Sequence, residues 1–322
     1  MIKVKRIHSF GEMKNRITSR LTGSGSRTGI LNHGVMYILL IGIGFVYLLP
    51  ILKMISMGMM DIFDLTNPLV EWIPSKMSFE NFRKGFIVLG GFDTLLQTTA
   101  VMLAIGIAQT VSSAVIGYGF QRFDFKGKKI LLALVLITFL LPPQVTELPN
   151  FVQFANYGWL KSIYPILIPS LTGQGIRHAV FILIFFQFYK LAPISLDEAA
   201  SIDGAGPLNT FLKINLRMAT PAIIVVFCFS FVWNWNDTNL TGLYFGDAIR
   251  TVPLMLKNFE RLFAGHFNTG SSGTNMSNIG SLQTKGVIMA GTLMSILPLI
   301  VMYTLVERKL IESIDRSGIT GE

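Results

Sequence analysis

Charged residues and cysteine are both scarce in this sequence. Only 14% of its 322 residues are Asp, Glu, Lys or Arg, whereas soluble domains carry about 25%. The single cysteine, Cys228, excludes a disulfide framework, and the four histidines lie too far apart in the sequence for a metal-binding motif. Hydrophobic residues make up 51% of the chain, and the charges collect between long apolar runs. This pattern predicts a chain that is surrounded mostly by lipid.

A nucleotide-binding motif is also missing from the sequence. The phosphate loop of ATPases requires the spacing G-x-x-x-x-G-K-[ST], but Arg122 stands where the first glycine would precede Gly127 and Lys128. We therefore expect no catalytic site, no metal site and no cofactor bound by this chain. The net charge of +9 does not predict nucleic-acid binding, because the basic residues flank apolar runs and do not form one polar face.

Six apolar stretches are long enough to form transmembrane helices, which need about 20 residues each. Lipid cannot satisfy free backbone groups, so helices are favoured for these stretches. We expect an all-α membrane protein whose third helix is interrupted at Pro142-Pro143. The predicted spans are 35–57, 94–120, 130–154, 164–189, 219–243 and 287–305.

The basic residues predict the orientation of the chain. Most of the 27 Lys and Arg residues fall in the N-terminal segment, in the loops after the second and fourth spans, and in the C-terminal tail. The positive-inside rule therefore predicts that both termini are cytoplasmic. We divide the chain into a basic amphipathic arm, 1–34, and a transmembrane domain, 35–322. The spacing of apolar residues in the arm fits an interfacial helix, and a disordered basic tail is the alternative.

The loop between the fourth and fifth spans, about 190–218, carries the signals of two short helices. Ser195 and Glu198 have the spacing of a capping box. Gly204 suits the left-handed residue that follows a helix, and Pro207 suits the first turn of the next helix. A helix of eight residues is only about 12 Å long and cannot cross a bilayer. The loop is therefore either a docking element for another protein or a connector on the membrane surface.

This loop resembles a known family. The run from Asp197 to Ala205 and the residues that follow it are similar to the EAA loop of binding-protein-dependent ABC permeases. Three other stretches are similar to the carbohydrate-uptake branch of that family, which includes the second permease subunit of the maltose transporter. The resemblance extends over roughly residues 33–318. The stretches that carry it are 118–128, 158–169 and Trp233-Asn234, together with Phe211, Ile214, Leu216 and Pro221-Ala222 beyond the loop run.

The resemblance implies the fold of a type I ABC importer permease and a set of partners. Such a chain would pair with a second, related permease and with two cytosolic ATPase subunits that bind ATP and Mg. An extracellular or lipid-anchored binding protein would deliver a sugar. The chain would lie among the lipids of a bacterial cell membrane and would not bind nucleic acid. The residues that the resemblance assigns to ATPase coupling are Glu198, Ala199, Ala200, Asp203 and Gly204.

One residue of the loop departs from the family pattern. Arg217 stands where the family usually has proline after Leu216. We therefore expect the second short helix to run on past this position without a break, because the usual helix-breaking residue is missing.

Polar side chains inside the predicted spans mark candidates for a transport path, because such groups are costly in lipid. Aromatic faces and amide or carboxylate groups are also the groups that hold sugars. Hydrogen bonding between helices is the alternative role. Arg177 in the fourth span is expected to form a structural ion pair, with Glu147 as its candidate partner. The candidate path residues are Asn234, Trp235, Asn236, Asp237 and Glu147.

Alternatives to a sugar importer come from other classes. An ion-coupled secondary transporter would need internal repeats and acidic residues within the membrane, for which only Glu147 and Asp237 are available. A membrane-embedded enzyme would need clustered His, Cys or acidic residues, which the spans do not contain. An ABC permease for a solute other than a sugar also fits the loop, but it fits the flanking stretches less well.

Overall fold

The computed structural model describes residues 31–267 and 283–309 with their side chains. It describes only the backbone of 23–24, 27–28, 30, 274–282 and 310–318. Most of the predicted arm, 1–34, therefore lies outside the described residues, and its amphipathic character stays a prediction. The part that is described comprises β1 (Gly23–Ser24), which pairs antiparallel with β2 (Arg27–Thr28), and the start of the first helix.

Helices make up most of the remaining described chain. In chain order they are α1 (Ile30–Met59), α2 (Ile62–Thr66), α3 (Glu80–Val88), α4 (Gly91–Arg122), α5 (Lys128–Leu140), α6 (Pro143–Asn156), α7 (Tyr164–Leu171), α8 (His178–Leu191), α9 (Ser195–Ile202), α10 (Pro207–Thr210), a π-helical turn (Phe211–Asn215), α11 (Leu216–Met218), α12 (Thr220–Asn236), α13 (Asn239–Phe245), α14 (Val252–Lys257), α15 (Phe259–Phe267) and α16 (Thr274–Gly318).

Three unbroken helices are long and apolar enough to cross a membrane, namely Leu31–Met59, Gly91–Arg122 and Gln283–Lys309. Three bent pairs add further spans if each pair counts as one: α5 with α6, α8 with α9, and the segment 207–218 with α12. The described residues therefore provide up to six spans. The predicted all-α membrane fold is confirmed.

The third span breaks at the position that the proline pair predicts. α5 ends at Leu140, α6 begins at Pro143, and the two helix axes meet at 99°. Proline has no amide hydrogen to continue the helical ladder, and its ring crowds the preceding turn. The chain at Leu141 and Pro142 is extended instead.

The fourth span is not the continuous helix that its apolar run predicts. α7 ends at Leu171, and α8 begins only at His178. Between them the backbone turns through left-handed conformations at Gly173 (φ 86°) and Arg177 (φ 53°). The amide of Gln174 donates to the carbonyl of Pro169 (2.7 Å), which closes the end of α7. The fifth span is also shorter than predicted, because α12 ends at Asn236.

α4 is the central helix of the bundle. It packs against α7, α8 and α12, whereas α16 packs against α1, α3 and α12. Apolar side chains from α4, α8 and α12 form one core cluster towards the loop 190–218. A second cluster joins α3, α14, α15 and α16. Nearly all side chains of α1 between Leu31 and Leu52 are exposed; in lipid, this apolar surface is solvated.

The contact between α4 and α8 depends on the absence of a side chain at Gly117. A Cβ atom there would lie 2.6 Å from the Cβ of Phe185 and 3.0 Å from the backbone nitrogen of Phe186. Small residues commonly let membrane helices approach this closely. Two residues further along, a Cβ at Gly119 would meet nothing within 4 Å.

We therefore expect Gly117→Ala to destabilise the protein and Gly119→Ala to leave it unchanged or slightly more stable. Overpacking at a rigid contact costs about 1–3 kcal/mol, whereas alanine at an open helical position is favoured over glycine by about 1 kcal/mol. The thermal unfolding midpoints of the two purified variants in detergent measure the difference. Equal midpoints would show that α4 and α8 can separate without loss.

Candidate functional site

The first short helix of the loop, α9, begins differently from the predicted capping box. Ser195 is the first helical residue, and its side chain makes no capping hydrogen bond. Ile194 already has helical backbone angles, and its carbonyl accepts from the amides of Asp197 (3.0 Å) and Glu198 (3.2 Å). The turn therefore starts one residue earlier than the pattern predicts, and the capping-box prediction is wrong.

The end of α9 follows the prediction. Gly204 is left-handed, with φ 79°. Its amide donates to the carbonyl of Ser201 (3.1 Å), and the amide of Ala205 donates to the carbonyl of Ala200 (2.9 Å). These two bonds form a Schellman motif, which favours glycine at the left-handed position. Pro207 then opens α10, as predicted.

Most of the family-assigned residues lie on the exposed surface of the loop. Glu198, Ala199, Asp203 and Gly204 are exposed, whereas Ala200 is buried within the chain, with only 5% of its surface accessible. Ala200 therefore faces the rest of this chain and not the outer surface of α9. Large apolar side chains surround the exposed residues, and the most exposed of these are Leu191, Ile194, Ile202 and Leu208.

The second short helix runs on through Arg217 to Met218, as expected, but it does not continue straight into the fifth span. α11 ends at Met218, and the segment 207–218 meets α12 at 75°. Pro221 lies in the first turn of α12 and has no amide hydrogen to bond to the preceding turn. A single proline further along therefore replaces the one that is missing at position 217.

A charged junction ties this loop to the central helix, and the sequence did not predict it. At the end of α4, Arg122 forms an ion pair with Asp197 of α9 (Nε to Oδ2, 2.8 Å), and its side chain is only 7% exposed. The other carboxylate oxygen of Asp197 accepts from the amide of Asn215 (2.7 Å), which is 1% exposed. Arg122 also donates to the carbonyl of Ala192 at 3.4 Å. No local pattern signals this junction, because its members are far apart in sequence.

In the fifth span, Asn234 and Trp235 lie inside the bundle. Both are almost fully buried. The side-chain amide of Asn234 donates to Oε1 of Gln109 on α4 (3.0 Å) and to the carbonyl of Ser230 (2.8 Å). The hydroxyl of Ser230 also donates to Gln109. Asn234 therefore joins α12 to α4, which is the alternative role considered for this run.

Asn236 has a different environment from its neighbours. It is exposed, and its side-chain amide donates only to the carbonyl of Val232 in the preceding turn (3.0 Å). With Trp235 it lines a cleft of about 460 Å³ between α12, α14 and α16. The other lining residues are Thr238, Pro253, Leu256, Lys257, Thr292, Ser295, Ile296 and Leu299.

The two acidic candidates differ in their surroundings. The carboxylate of Asp237 accepts from the amide of Leu240 (2.8 Å) and so caps the first turn of α13. Glu147 lies on α6, beyond the proline break, and is partly exposed. Neither residue lines the cleft that contains Asn236.

Arg177 does not form the expected ion pair. Its guanidinium carbon lies 4.6 Å from the centre of the Trp233 ring, so a cation–π contact takes the place of a carboxylate partner. Among the described residues, the side chains of Arg177 and Glu147 form no salt bridge. The break between α7 and α8 places Arg177 beside α12.

A buried hydrogen-bond chain holds this break against α4. The amide of Gly175 donates to Nδ1 of His178 (3.2 Å). The ring proton is therefore on Nε2, which faces the hydroxyl of Ser112 (3.1 Å). Ser112 donates in turn to the carbonyl of Ser170 at the end of α7 (2.7 Å). The polarity of Ser112 and His178 is visible in the sequence, but their pairing is not.

The chain is similar to known proteins over most of its length. No family model matches it. It is 25% identical over 283 residues to the probable ABC transporter permease protein YurM of Bacillus subtilis, covering 86% of each chain. It is 26% identical over 281 residues to the trehalose transport system permease protein SugB of Mycobacterium tuberculosis, covering 85% of this chain and 93% of the relative.

A solved structure shares the fold. It is a bacterial ABC transporter involved in the import of the acidic polysaccharide alginate, and the two chains superpose with a TM-score of 0.64 at 20% identity. The match covers 86% of this chain and 95% of the other. The chain therefore resembles ABC transporter permeases over most of its length and shares the fold of the solved importer. Its long apolar helices indicate an integral membrane protein.

Two substitutions at Asp237 can distinguish its capping hydrogen bond from a role of its negative charge. Asp237→Leu removes the acceptor for the Leu240 amide and should destabilise the protein by about 1 kcal/mol, whereas Asp237→Asn retains an acceptor. We expect a lower thermal midpoint only for the leucine variant. If Asp237→Asn keeps its midpoint and loses transport, the carboxylate charge itself is required in the path.

Proposed function

We propose that this chain is a permease, one of two related membrane subunits of a sugar or oligosaccharide importer. Two cytosolic ATPase subunits, which bind ATP and Mg, drive it, and an extracellular or lipid-anchored binding protein delivers the sugar. The named substrates of the relatives support this class, because they are trehalose and other carbohydrates. The protein lies in a bacterial cell membrane, with both termini on its cytoplasmic side.

The exposed surface of α9 is the observation that supports the proposed contact with an ATPase subunit. Ala199 and Gly204 leave the backbone accessible there, and Glu198 adds one charge. Ile202 is 85% exposed and Leu208 is 70% exposed next to them. A contiguous apolar surface with a polar rim is typical of a protein interface. An ATPase subunit that covers this surface would bury these side chains.

The position of the loop supports the proposed orientation. Arg122 ends the second span, and its contact with Asp197 brings that end to the same side as α9. The basic residues that follow both spans, among them Lys128 and Lys190, therefore collect on one side of the bundle. The positive-inside rule assigns that side to the cytoplasm.

The cleft between α12, α14 and α16 is the part of the proposed path that this chain contributes. Amide, hydroxyl and ammonium groups from Asn236, Ser295 and Lys257 lie at its wall beside apolar side chains. A sugar offers hydroxyl groups to such donors and acceptors and C–H faces to the apolar wall. An ion-coupled transporter has less support, because neither Glu147 nor Asp237 lines this cleft.

The ATPase contact can be tested with one substitution on α9. Ala199→Trp places a bulky ring on the exposed surface, and we expect the purified complex to lose its ATPase subunits while the permease still inserts in the membrane. Ala248→Trp, at an exposed position after α13, is the matched control and should keep them. The measurement is the ratio of ATPase to permease after affinity purification. Wild-type ratios for Ala199→Trp would contradict docking on this surface.

The transport path can be tested at Asn236. We expect Asn236→Leu to reduce sugar uptake by about tenfold or more, because an unmatched apolar group in a polar path costs about 1–3 kcal/mol. Asn258→Leu is the matched control: Asn258 is also exposed and donates to the carbonyl four residues earlier (3.1 Å), but it does not line the cleft. Uptake of radiolabelled oligosaccharides into proteoliposomes measures the difference. Equal uptake by both variants would remove Asn236 from the path.

A further inference from the structure

The junction of Arg122, Asp197 and Asn215 joins the two short helices of the loop to the central helix α4. Any movement of the loop relative to the bundle therefore acts on this junction. Arg122 ends α4, Asp197 lies in the first turn of α9, and Asn215 closes the π-helical turn of the second short helix. Both carboxylate oxygens of Asp197 are engaged, one by Arg122 (2.8 Å) and one by Asn215 (2.7 Å). The two short helices and α4 therefore share a single carboxylate.

Burial makes this junction stiff. The side chain of Arg122 is 7% exposed and that of Asp197 is 20% exposed. An ion pair that is shielded from water is weakened little by salt, and separating its charges in this environment is costly. Next to it, the ring of Tyr118 lies 4.7 Å from that of Phe211 in the π-helical turn. α9 and the second short helix therefore cannot shift far from the end of α4 without breaking the pair.

α4 connects the junction with the cleft. Gln109 lies 13 residues before Arg122 on the same unbroken helix, which is a separation of about 20 Å. Its side chain accepts from Asn234 of α12 (3.0 Å). Trp235 and Asn236, the next two residues of α12, line the cleft. A displacement of α4 at its cytoplasmic end therefore acts directly on the helix that forms one wall of the cleft.

We propose that Arg122, Asp197 and Asn215 are positioning residues that transmit the movement of the ATPase-bound loop through α4 to the cleft. The proposal rests on the proposed function, because it requires an ATPase seated on α9. It assigns to Asp197 a contact within this chain, and leaves the exposed residues of α9 to the contact with the ATPase.

The test follows the cleft directly and needs no sugar. In a Cys228→Ser background, Asn236→Cys places a thiol in the cleft of the full importer complex. A maleimide reagent then reports its accessibility with and without Mg-ATP and vanadate. We expect ATP to change the labelling rate by about fivefold or more. With Asp197→Asn added, the complex should keep its ATPase subunits and hydrolyse ATP, but ATP should no longer change the labelling rate.

Two further variants separate transmission from simple stability. Asp124→Asn removes the carboxylate of an exposed pair with Lys128 (3.1 Å) on the same side of the bundle, and the ATP effect should persist. Arg122→Gln combined with Asp197→Asn avoids an unpaired buried charge and retains hydrogen-bonding groups. We expect this double variant to recover part of the ATP effect that Asp197→Asn alone loses.

The outcomes distinguish this proposal from the proposed function. If ATP does not change labelling in the complex with an intact junction, the ATP-driven mechanism itself fails. If ATP changes labelling there and equally with Asp197→Asn, only the junction proposal fails. It also fails if Asp197→Asn merely lowers the yield or the melting temperature of the complex while assembled complexes keep the full ATP effect.

Discussion

Along α4, polar side chains at Gln109, Ser112 and Arg122 point into the bundle, and each one meets a neighbouring element. Gln109 bonds to α12 and to the carbonyl of Ile176 in the break before α8. Ser112 bonds to the end of α7, and Arg122 bonds to the end of α8 and to the loop. Polar groups in a bundle surrounded by lipid must find protein partners. The register of four elements around α4 therefore depends on this one stripe.

The polar side chains of α4 also satisfy backbone carbonyls at the ends of the broken helices. The carbonyls of Ser170 and Ala192 lie at helix ends, where no backbone amide continues the ladder. Within a membrane such carbonyls need another donor, because lipid supplies none. Ser112 donates to the first and Arg122 to the second. Breaks in the fourth span are therefore tolerable where α4 presents a donor, and Gly117 lets the helices come close enough for these bonds.

The sequence predicted those structural features that depend only on the backbone of neighbouring residues. Pro142-Pro143, Gly204 and Pro207 each act through their own backbone, so the break and the helix ends could be placed from the sequence. The break before α8 was missed because Gly173 interrupts an apolar run whose hydropathy remains high on both sides. The partners of Arg122 and of Arg177 could not be predicted, because each depends on which distant helix packs alongside. The family resemblance identified the loop but not the burial of Ala200 within it.

The cleft lies where two parts of the bundle meet. One wall is α12, which is bonded to α4, and the other wall consists of α14 and α16, which pack with α3 and α15. Hydroxyl groups of Thr292 and Ser295 face this boundary, whereas the apolar cluster that contains Met302 closes α16 against α12 at one end. Apolar packing lacks direction, so it permits small rotations that a hydrogen-bonded contact would resist. A hydrogen bond joins the two parts, from the amide of Val252 in α14 to the hydroxyl of Thr98 on α4 (3.0 Å), whereas the contact of α12 with α16 around Met302 is apolar.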